Sequence, residues 1–280
     1  MKNFAIIGPT GYIGKRHLKA INEVGGNLVC YLDINKSKDL SNNVEYFHDQ
    51  EEFFKAFKRY KIDYCVICSP NHLHFSHILN SLISESNVIC EKPITISKQQ
   101  FQDIEEYAEK YNKTVSSIMQ LRLHPVLNKI KEICNEKKEN ALAEIEVITP
   151  RNEDYLKSWK TDKEYSGGII FNLGIHYFDL LISALGSPTK TDIIFIERLR
   201  AKGATYFNDF KVNWFFSIDP NDQNENSEPS RVFKINDKDL VFSSVPNDLH
   251  VENYKHILNS NDFDLYSIKP TMEYIFSINR

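Results

Sequence analysis

The fold is decided by residues 3–33, NFAIIGPTGYIGKRHLKAINEVGGNLVCYLD. The apolar run of residues 3–7 is typical of a buried strand, and a glycine-rich turn follows it over residues 8–14. Residues 15–24 alternate in character as a helix does, and a second apolar run ends at Asp33. Strand, glycine turn, helix, strand and acid within about 33 residues are typical of a dinucleotide-binding unit.

The glycine turn and Asp33 together predict NAD as the cofactor. Glycines permit a tight turn and a close approach of the backbone to a pyrophosphate, while the following helix presents free N–H groups to the phosphates. Asp33 lies 19 residues after Gly14, where a carboxylate accepts hydrogen bonds from both ribose hydroxyls and repels the 2′-phosphate of NADP. The spacing is GxxGxxG rather than the commoner GxGxxG, so a glycine-rich turn in another α/β protein stays open as an alternative.

Strands and helices continue to alternate up to residue 120, which predicts a parallel sheet covered on both faces. The segments SPNHLH (residues 69–74) and EKP (residues 91–93) each follow a predicted strand. Because ligands bind at the carboxyl ends of parallel strands, both segments are expected at the cofactor edge. His72, His74 and His77 lack a cysteine or carboxylate that would complete a ligand set, so no metal site is predicted.

The alternation of predicted strands and helices ends after Pro125, and we place a domain boundary between residues 120 and 121. Separate strands, many of alternating polarity, follow over residues 143–242, and a polar segment at 220–230 is expected to be a surface loop. The predicted fold class is therefore α/β: a Rossmann domain with a doubly wound parallel sheet at residues 1–120. An α+β domain with a mostly antiparallel, open-faced sheet follows at residues 121–280.

Composition limits the function classes. The 280 residues are 41% hydrophobic and 26% charged, with a net charge of -4, which favours a soluble globular protein and gives no basic excess for nucleic acid. No apolar run reaches the expected length of a membrane span, and the N-terminus lacks a signal-peptide cleavage site. Five cysteines, an odd number, favour reduced thiols and a cytoplasmic location.

A second candidate site lies in residues 166–181, SGGIIFNLGIHYFDLL. Asn172 and His176 are four residues apart and share a face if the segment is helical. Polar groups on a buried face need partners, and in a cleft that partner can be a ligand. A core histidine bonded to a backbone carbonyl is the alternative. Asp179, one turn further on, is expected either to orient His176 or to cap a neighbouring loop.

These features occur in an order that resembles the Gfo/Idh/MocA oxidoreductase family along essentially the whole chain. More narrowly, ICSPNHLH, CEKPITI, QLRLHP, SWK, SGGIIFNLGIHYFDLL and NWFFSID resemble the UDP-N-acetyl-2-amino-2-deoxyglucuronate 3-dehydrogenases. This resemblance implies NAD-dependent oxidation of the 3-hydroxyl of UDP-N-acetylglucosaminuronic acid to a 3-keto sugar, in O-antigen and lipopolysaccharide biosynthesis. Many family members carry aspartate where this chain has Asn172, and an asparagine cannot act as a base.

The resemblance assigns catalysis to Lys92 and His176. Imidazole titrates near working pH, so His176 is the candidate base, and the Lys92 ammonium is the candidate for stabilising the developing alkoxide. Substrate contacts are further expected from Arg122, Lys160 and Asn172, with Lys160 the preferred cation for the acidic substrate. Cofactor contacts are expected from Gly8, Gly11, Tyr12, Ile13, Asp33, Ser69, Pro70, Asn71, His74, Glu91, Lys92 and Gln120.

The same residues leave other functions open, and they also predict a second substrate and an oligomer. A dehydrogenase of another sugar or cyclitol and a non-catalytic NAD-binding protein are the alternatives. In some relatives 2-oxoglutarate reoxidises the cofactor, so it is a candidate second substrate. An uncovered sheet face predicts a homo-oligomer, and the family implies a dimer or tetramer.

Overall fold

The computed structural model describes residues 1–136, 141–208, 210–223, 229–236, 238–240, 248–260 and 262–279. The chain divides into two compact units, Met1–Gln120 with the described part of Asn247–Ile268, and the described parts of Leu121–Pro246 and Lys269–Arg280. The sequence had assigned all of 121–280 to the second domain. Two predicted segments, the loop at 220–230 and the strand at 238–242, run partly outside the described residues.

The first unit contains a parallel six-stranded sheet in the order β3-β2-β1-β4-β5-β6, which confirms the predicted Rossmann architecture. Strand β4 is buried along its whole length, as its continuous apolar sequence predicts for a sheet covered on both faces. The elements are β1 (Asn3–Ile7), α1 (Gly14–Glu23), β2 (Asn27–Leu32), β3 (Glu45–Phe47), α2 (Gln50–Tyr60), β4 (Tyr64–Ile67), α3 (Asn71–Ile83), β5 (Asn87–Cys90), α4 (Lys98–Tyr111) and β6 (Val115–Ser117).

Side-chain caps fix where two of these helices begin. Asp49 accepts a hydrogen bond from the Glu52 amide before α2, and Ser97 accepts one from the Gln100 amide before α4. Each cap satisfies a backbone amide that has no partner within its helix, and so fixes the residue at which the helix begins.

The second unit is built on a mixed sheet in the order β12-β11-β7-β10-β9-β8. Every neighbouring pair is antiparallel except β7 with β10, which are parallel, so the predicted mostly antiparallel sheet is confirmed. The elements are α5 (Val126–Glu136), β7 (Ala141–Ile148), α6 (Glu153–Leu156), α7 (Lys163–Ser166), α8 (Ile175–Leu185), β8 (Lys190–Ile196), β9 (Arg200–Phe207), β10 (Phe210–Ser217), β11 (Ser230–Ile235) and β12 (Lys238–Asp239).

The apolar segment before α8 is not a regular α-helix, because residues Ile170–Gly174 form a π-helical turn. Among the described residues, Lys163–Leu185 is long and apolar enough to cross a membrane by length and composition alone, contrary to the sequence expectation. Since 56% of its most apolar window is buried inside the protein, a core helix accounts for the same signal.

The chain ends with α9 (Leu249–Ser260) and α10 (Leu265–Ile278). Helix α9 packs on α1 within the first unit, and its Tyr254 is fully buried beside Phe4. A distant segment therefore completes the core of the Rossmann unit.

Candidate active site

The glycine turn after β1 has no room for side chains at two positions. Gly8 has a φ of +77°, and a Cβ there would lie 2.9 Å from the carbonyl oxygen of Cys68. At Gly14, a Cβ would lie 2.5 Å from the Gly8 oxygen and 2.7 Å from Cα of Pro9. The turn is therefore closed tightly on itself and on the end of β4, so the backbone alone lines it.

Helix α1 offers an uncapped N-terminus directly after this turn. Within the described chain, no side chain caps the helix at Ile13, and its first turn contains no acidic residue. Tyr12 is 77% exposed, with its hydroxyl 3.3 Å from the Arg16 guanidinium. The positive end of the helix dipole favours an anion, so these residues fit a dinucleotide pyrophosphate.

We expect Gly14→Ala to weaken NAD binding by at least tenfold, because the new methyl group must displace Gly8 and Pro9 from the turn. The measurement is isothermal titration calorimetry with NAD⁺, with circular dichroism as a check on folding. Glu23→Ala is the control, since Glu23 is exposed at the far end of α1. Unchanged affinity in Gly14→Ala would contradict this account of the turn.

Asp33 is buried at the end of β2 and braces the glycine turn. Its Oδ2 accepts hydrogen bonds from the Thr10 amide at 3.0 Å and the Thr10 hydroxyl at 2.8 Å, and its Oδ1 accepts one from the Asn35 amide at 3.1 Å. A carboxylate has about four acceptor positions, so roughly one remains for a ribose hydroxyl. The charge itself still disfavours a 2′-phosphate, which agrees with the predicted choice of NAD.

Two histidines of α3 hold the loop after β4 in place. His74 is buried, with Nδ1 2.7 Å from the Pro93 carbonyl and Nε2 2.8 Å from the Ser69 carbonyl. His77 Nδ1 lies 2.9 Å from the Ser69 hydroxyl, and burial, aided by His74 and His72, lowers the pKa of His77 to about 4. Both ring nitrogens of His74 are thus engaged by backbone, and the residue holds the loops of the predicted cofactor edge together.

The remaining predicted cofactor residues lie where strands of the first unit end or where its helices begin. Pro70 precedes α3, Asn71 is its buried first residue, and Gln120 begins a 3₁₀ turn after β6. Glu91 and Lys92 directly follow β5. Lys92 is half-buried, its amide donates to Glu91 Oε2 at 3.2 Å, and its peptide bond to Pro93 is cis.

In the second unit, Asn172 lies in the π-helical turn and His176 in the first turn of α8. Both side chains are half-buried. The side-chain amide of Asn172 donates through Nδ2 to the Lys160 carbonyl at 2.7 Å, which ties the segment to the loop that carries Lys160. π-Turns recur at functional sites because they change which side chains share a face.

Lys160 and Arg151 share one aromatic ring. The Lys160 ammonium and the Arg151 guanidinium each lie 5.0 Å from the centre of the Tyr155 ring. Burial, and then the charge of Arg151, lower the pKa of Lys160. Neither cation forms an ion pair with a carboxylate of the described residues. Two like charges held together in this way favour binding of an anion.

Arg122 and Asp179 form an ion pair in the second unit. The guanidinium of Arg122, a predicted substrate contact, donates to the two oxygens of Asp179 at 2.8 and 2.6 Å. Asp179 is almost fully buried and also accepts a hydrogen bond from Thr271 at 2.8 Å. The carboxylate therefore neutralises Arg122, and of the two roles left open for Asp179 the structure assigns neither.

Arg122→Met is expected to lower the free energy of unfolding by about 3 kcal/mol, because it leaves the Asp179 carboxylate buried without its cation. Urea titration followed by circular dichroism measures this. Lys255→Met is the control: its ion pair with Glu252 is on the surface and contributes about 1 kcal/mol or less. Equal effects of the two substitutions would show that the Arg122 pair is not structurally special.

Two family models match this chain. The model described as oxidoreductase family, NAD-binding Rossmann fold, matches residues 2–119, and the GFO/IDH/MocA C-terminal domain matches residues 128–218. The chain belongs to the Gfo/Idh/MocA oxidoreductase family. It is thus an NAD-dependent oxidoreductase by family, and the glycine turn and uncapped α1 fit that cofactor.

Solved structures of a Gfo/Idh/MocA enzyme resemble this chain over its full length. The WlbA (WbpB) dehydrogenase from Thermus thermophilus in complex with NAD and UDP-GlcNAcA is 31% identical, with a TM-score of 0.92 over 100% of this chain and 95% of that one. The same enzyme in complex with NAD and alpha-ketoglutarate is 32% identical, with a TM-score of 0.90 over 99% and 96% of the two chains.

Curated Gfo/Idh/MocA relatives are longer. D-glucoside 3-dehydrogenase of Escherichia coli is 27% identical over 68% of this chain and 55% of its own length. Glucose-6-phosphate 3-dehydrogenase of Bacillus subtilis is 26% identical over 65% of this chain and 53% of its own length. The chain thus spans just over half the length of the curated relatives that it matches.

Proposed function

We propose that this protein oxidises the 3-hydroxyl of a UDP-linked N-acetylated sugar acid, UDP-N-acetylglucosaminuronic acid, to the 3-keto sugar with NAD⁺. The observation that carries the proposal is the 31% identity to the Thermus WlbA dehydrogenase, over 100% of this chain, in a structure that contains NAD and UDP-GlcNAcA. The expected setting is cytoplasmic synthesis of a surface polysaccharide such as O-antigen.

The proposed reaction assigns separate roles to Lys92 and His176. Bound NAD⁺ supplies the hydride acceptor. His176 takes the proton from the substrate hydroxyl, since an imidazole can carry that proton at neutral pH. The proposed role of the Lys92 ammonium is to stabilise the negative charge of the developing alkoxide. Asn172 has no basic group and binds the sugar as a hydrogen-bonding partner.

The acidic substrate requires cations, and the Arg151–Tyr155–Lys160 group supplies them. A sugar carboxylate or a diphosphate would relieve the repulsion between the two cations and compensate the partial burial of Lys160. Arg122 stays a proposed further substrate contact, with its charge partly balanced by Asp179.

Lys160→Ala is expected to raise the Kd for the UDP-sugar acid by roughly tenfold, about 1.4 kcal/mol, with the NAD⁺ Kd unchanged. Titration calorimetry with each ligand separately measures both values. Lys157→Ala is the matched control, because Lys157 is exposed three residues away and pairs with Glu153. Equal weakening of both ligands by Lys160→Ala would refute the assignment.

The oxidised cofactor must be regenerated, and we propose 2-oxoglutarate as the acceptor. The support is the Thermus WlbA structure that contains NAD and alpha-ketoglutarate, at 32% identity.

We further propose a homo-oligomer, dimer or tetramer, formed through the sheet of the second unit. Strand β8 lies at the edge of that sheet, and its Ile193 and Ile194 are 41% and 65% exposed.

A single-turnover assay tests the proposed function. Purified protein is mixed with NAD⁺ and UDP-N-acetylglucosaminuronic acid, and absorbance of the reduced nicotinamide is followed. We expect a rise, followed by decay when 2-oxoglutarate is added. The comparison substrates are UDP-N-acetylglucosamine, which lacks the carboxylate, and free N-acetylglucosaminuronic acid, which lacks the nucleotide.

A dehydrogenase of an unlinked sugar is the second candidate function. Its support is the 27% identity to D-glucoside 3-dehydrogenase of Escherichia coli, which covers 68% of this chain. Turnover of a free glucoside without turnover of the UDP-sugar acid would favour this candidate over the first.

A further inference from the structure

Three residues of the first unit, His17, Glu91 and His250, form a buried cluster that no sequence pattern indicates. His17 Nε2 lies 2.8 Å from Glu91 Oε1, and His250 Nε2 lies 3.3 Å from the same oxygen. The residues come from α1, from the end of β5 and from α9, and are separated by 74 and 159 residues from Glu91. The two imidazole rings meet edge to face, with centres 5.5 Å apart.

Glu91 is held in its charged form. Burial by itself would raise the pKa of Glu91, but the hydrogen bonds and charge of His17 and His250 lower this pKa well below its usual range. An ionised carboxylate only accepts hydrogen bonds. Both Nε2 atoms must therefore carry a proton, so each imidazole donates a hydrogen bond from Nε2 to Glu91 Oε1.

The Nδ1 atoms of the two imidazoles lie on the side away from Glu91. His17 Nδ1 lies 2.7 Å from the Tyr254 hydroxyl, and burial raises the pKa of Tyr254 well above its usual value, so that the hydroxyl keeps its proton. His250 Nδ1 is buried and has no hydrogen-bond partner among the described residues.

The cluster is connected to Lys92 through the second oxygen of Glu91. Oε1 accepts hydrogen bonds from the two imidazoles, and Oε2 accepts one from the backbone amide of Lys92 at 3.2 Å. The Glu91 amide donates to the Ile67 carbonyl of β4 at 2.9 Å. The residue before Lys92 is thus fixed to β4, α1 and α9, and it in turn fixes the Lys92 peptide.

A metal ion fits this cluster less well than protons do. The three ligand atoms lie within 4.8 Å of one another. Around a tetrahedral zinc with bonds of about 2.0 Å, however, ligand atoms stand roughly 3.3 Å apart. The 2.8 Å between His17 and Glu91 is a hydrogen-bond distance.

We infer that His17, Glu91 and His250 are positioning residues for Lys92: two imidazoles clamp the Glu91 carboxylate, and this carboxylate orients the Lys92 backbone. The inference rests on the catalytic role proposed for Lys92. None of the three side chains needs to touch the substrate. Because displacement of a catalytic group by about 1 Å can lower a rate a hundredfold, the clamp affects turnover more than ligand binding.

The test compares five variants in the single-turnover assay: Glu91→Gln, His17→Leu, His17→Gln, His250→Leu and Lys92→Ala. We expect Glu91→Gln, His17→Leu and His250→Leu to lower kcat by roughly 10- to 100-fold, with the NAD⁺ Kd unchanged. His17→Gln should recover most of the rate, since its amide nitrogen can donate in place of Nε2. His256→Leu is the matched control on α9, because His256 is exposed and pairs with Asp262.

The outcomes separate this inference from the proposed function. Inactive Lys92→Ala with a full rate in Glu91→Gln and His17→Leu would overturn the clamp alone. A reduced rate in His17→Leu that His17→Gln does not recover, with the same loss of thermal stability in both, would indicate a purely structural role and would also overturn it. Stoichiometric zinc in the purified protein, measured by mass spectrometry, would contradict the protonated cluster.

The reactivity of Lys92 tests the clamp without substrate, and so independently of the sugar that the enzyme oxidises. Acetic anhydride modifies accessible amines, and peptide mass spectrometry gives the rate at Lys92 relative to the exposed Lys98. We expect faster modification of Lys92 in Glu91→Gln and His17→Leu than in the wild type and His256→Leu. Identical rates in all four proteins would overturn the clamp, whatever the substrate proves to be.

Discussion

Lys92→Ala is expected to lower kcat by about 10²- to 10³-fold, the usual effect of removing one group that stabilises a developing oxyanion. The reason is electrostatic: the ammonium is proposed to stabilise the alkoxide, and alanine leaves that charge without a partner. NAD⁺ affinity should stay within about twofold of the wild type, because pyrophosphate binding is assigned to the glycine turn and α1. Single-turnover absorbance and NAD⁺ titration measure the two effects.

Two further substitutions sharpen the Lys92 experiment. Lys92→Arg keeps the charge but changes the shape and donor geometry, so we expect only partial activity. Lys98→Ala is the control, since Lys98 is an exposed lysine at the start of α4. If Lys92→Ala lost NAD⁺ binding and turnover to the same degree, Lys92 would be a cofactor ligand rather than a catalytic group.

His176→Ala is expected to lower kcat by about 10²- to 10⁴-fold, the range associated with loss of a general base. The affinity for the UDP-sugar acid should change much less, because the imidazole acts on a proton that moves only during the reaction. Stopped-flow absorbance with saturating NAD⁺ and sugar gives the rate, and equilibrium titration gives the affinity.

Chemical rescue distinguishes a base from a structural histidine at position 176. Added imidazole should restore part of the rate in His176→Ala, since it can take the proton in the space that the side chain leaves. His48→Ala, an exposed histidine of the first unit, should be indistinguishable from the wild type. A His176→Ala enzyme with normal kcat and weak sugar binding would assign His176 to substrate recognition.

Much of the first unit is predictable because its signals are local. The strand of residues 3–7, the glycine turn and the acid at Asp33 follow one another within a single supersecondary unit, and each has a distinct residue pattern. The Ser97 cap and the buried strand β4 are read from a few adjacent residues in the same way. Local patterns of this kind reflect backbone geometry and burial directly.

The parts that the sequence did not reveal depend on pairs of residues far apart in the chain. Arg122 looks like a free loop cation until Asp179, 57 residues later, is found beside it. The partners of Glu91 are separated from it by 74 and 159 residues. The π-turn at Ile170–Gly174 arises from packing, since its apolar sequence has no feature that separates it from an ordinary helix.

The return of α9 to the first unit determines when that unit can finish folding. Tyr254 and His250 complete the core around Phe4 and His17, yet they leave the ribosome only after almost the whole second unit has been made. Contacts of such long sequence separation form late and slowly. During synthesis, the Rossmann unit therefore cannot complete its core until α9 has been made, and part of its apolar surface lacks its partner until then.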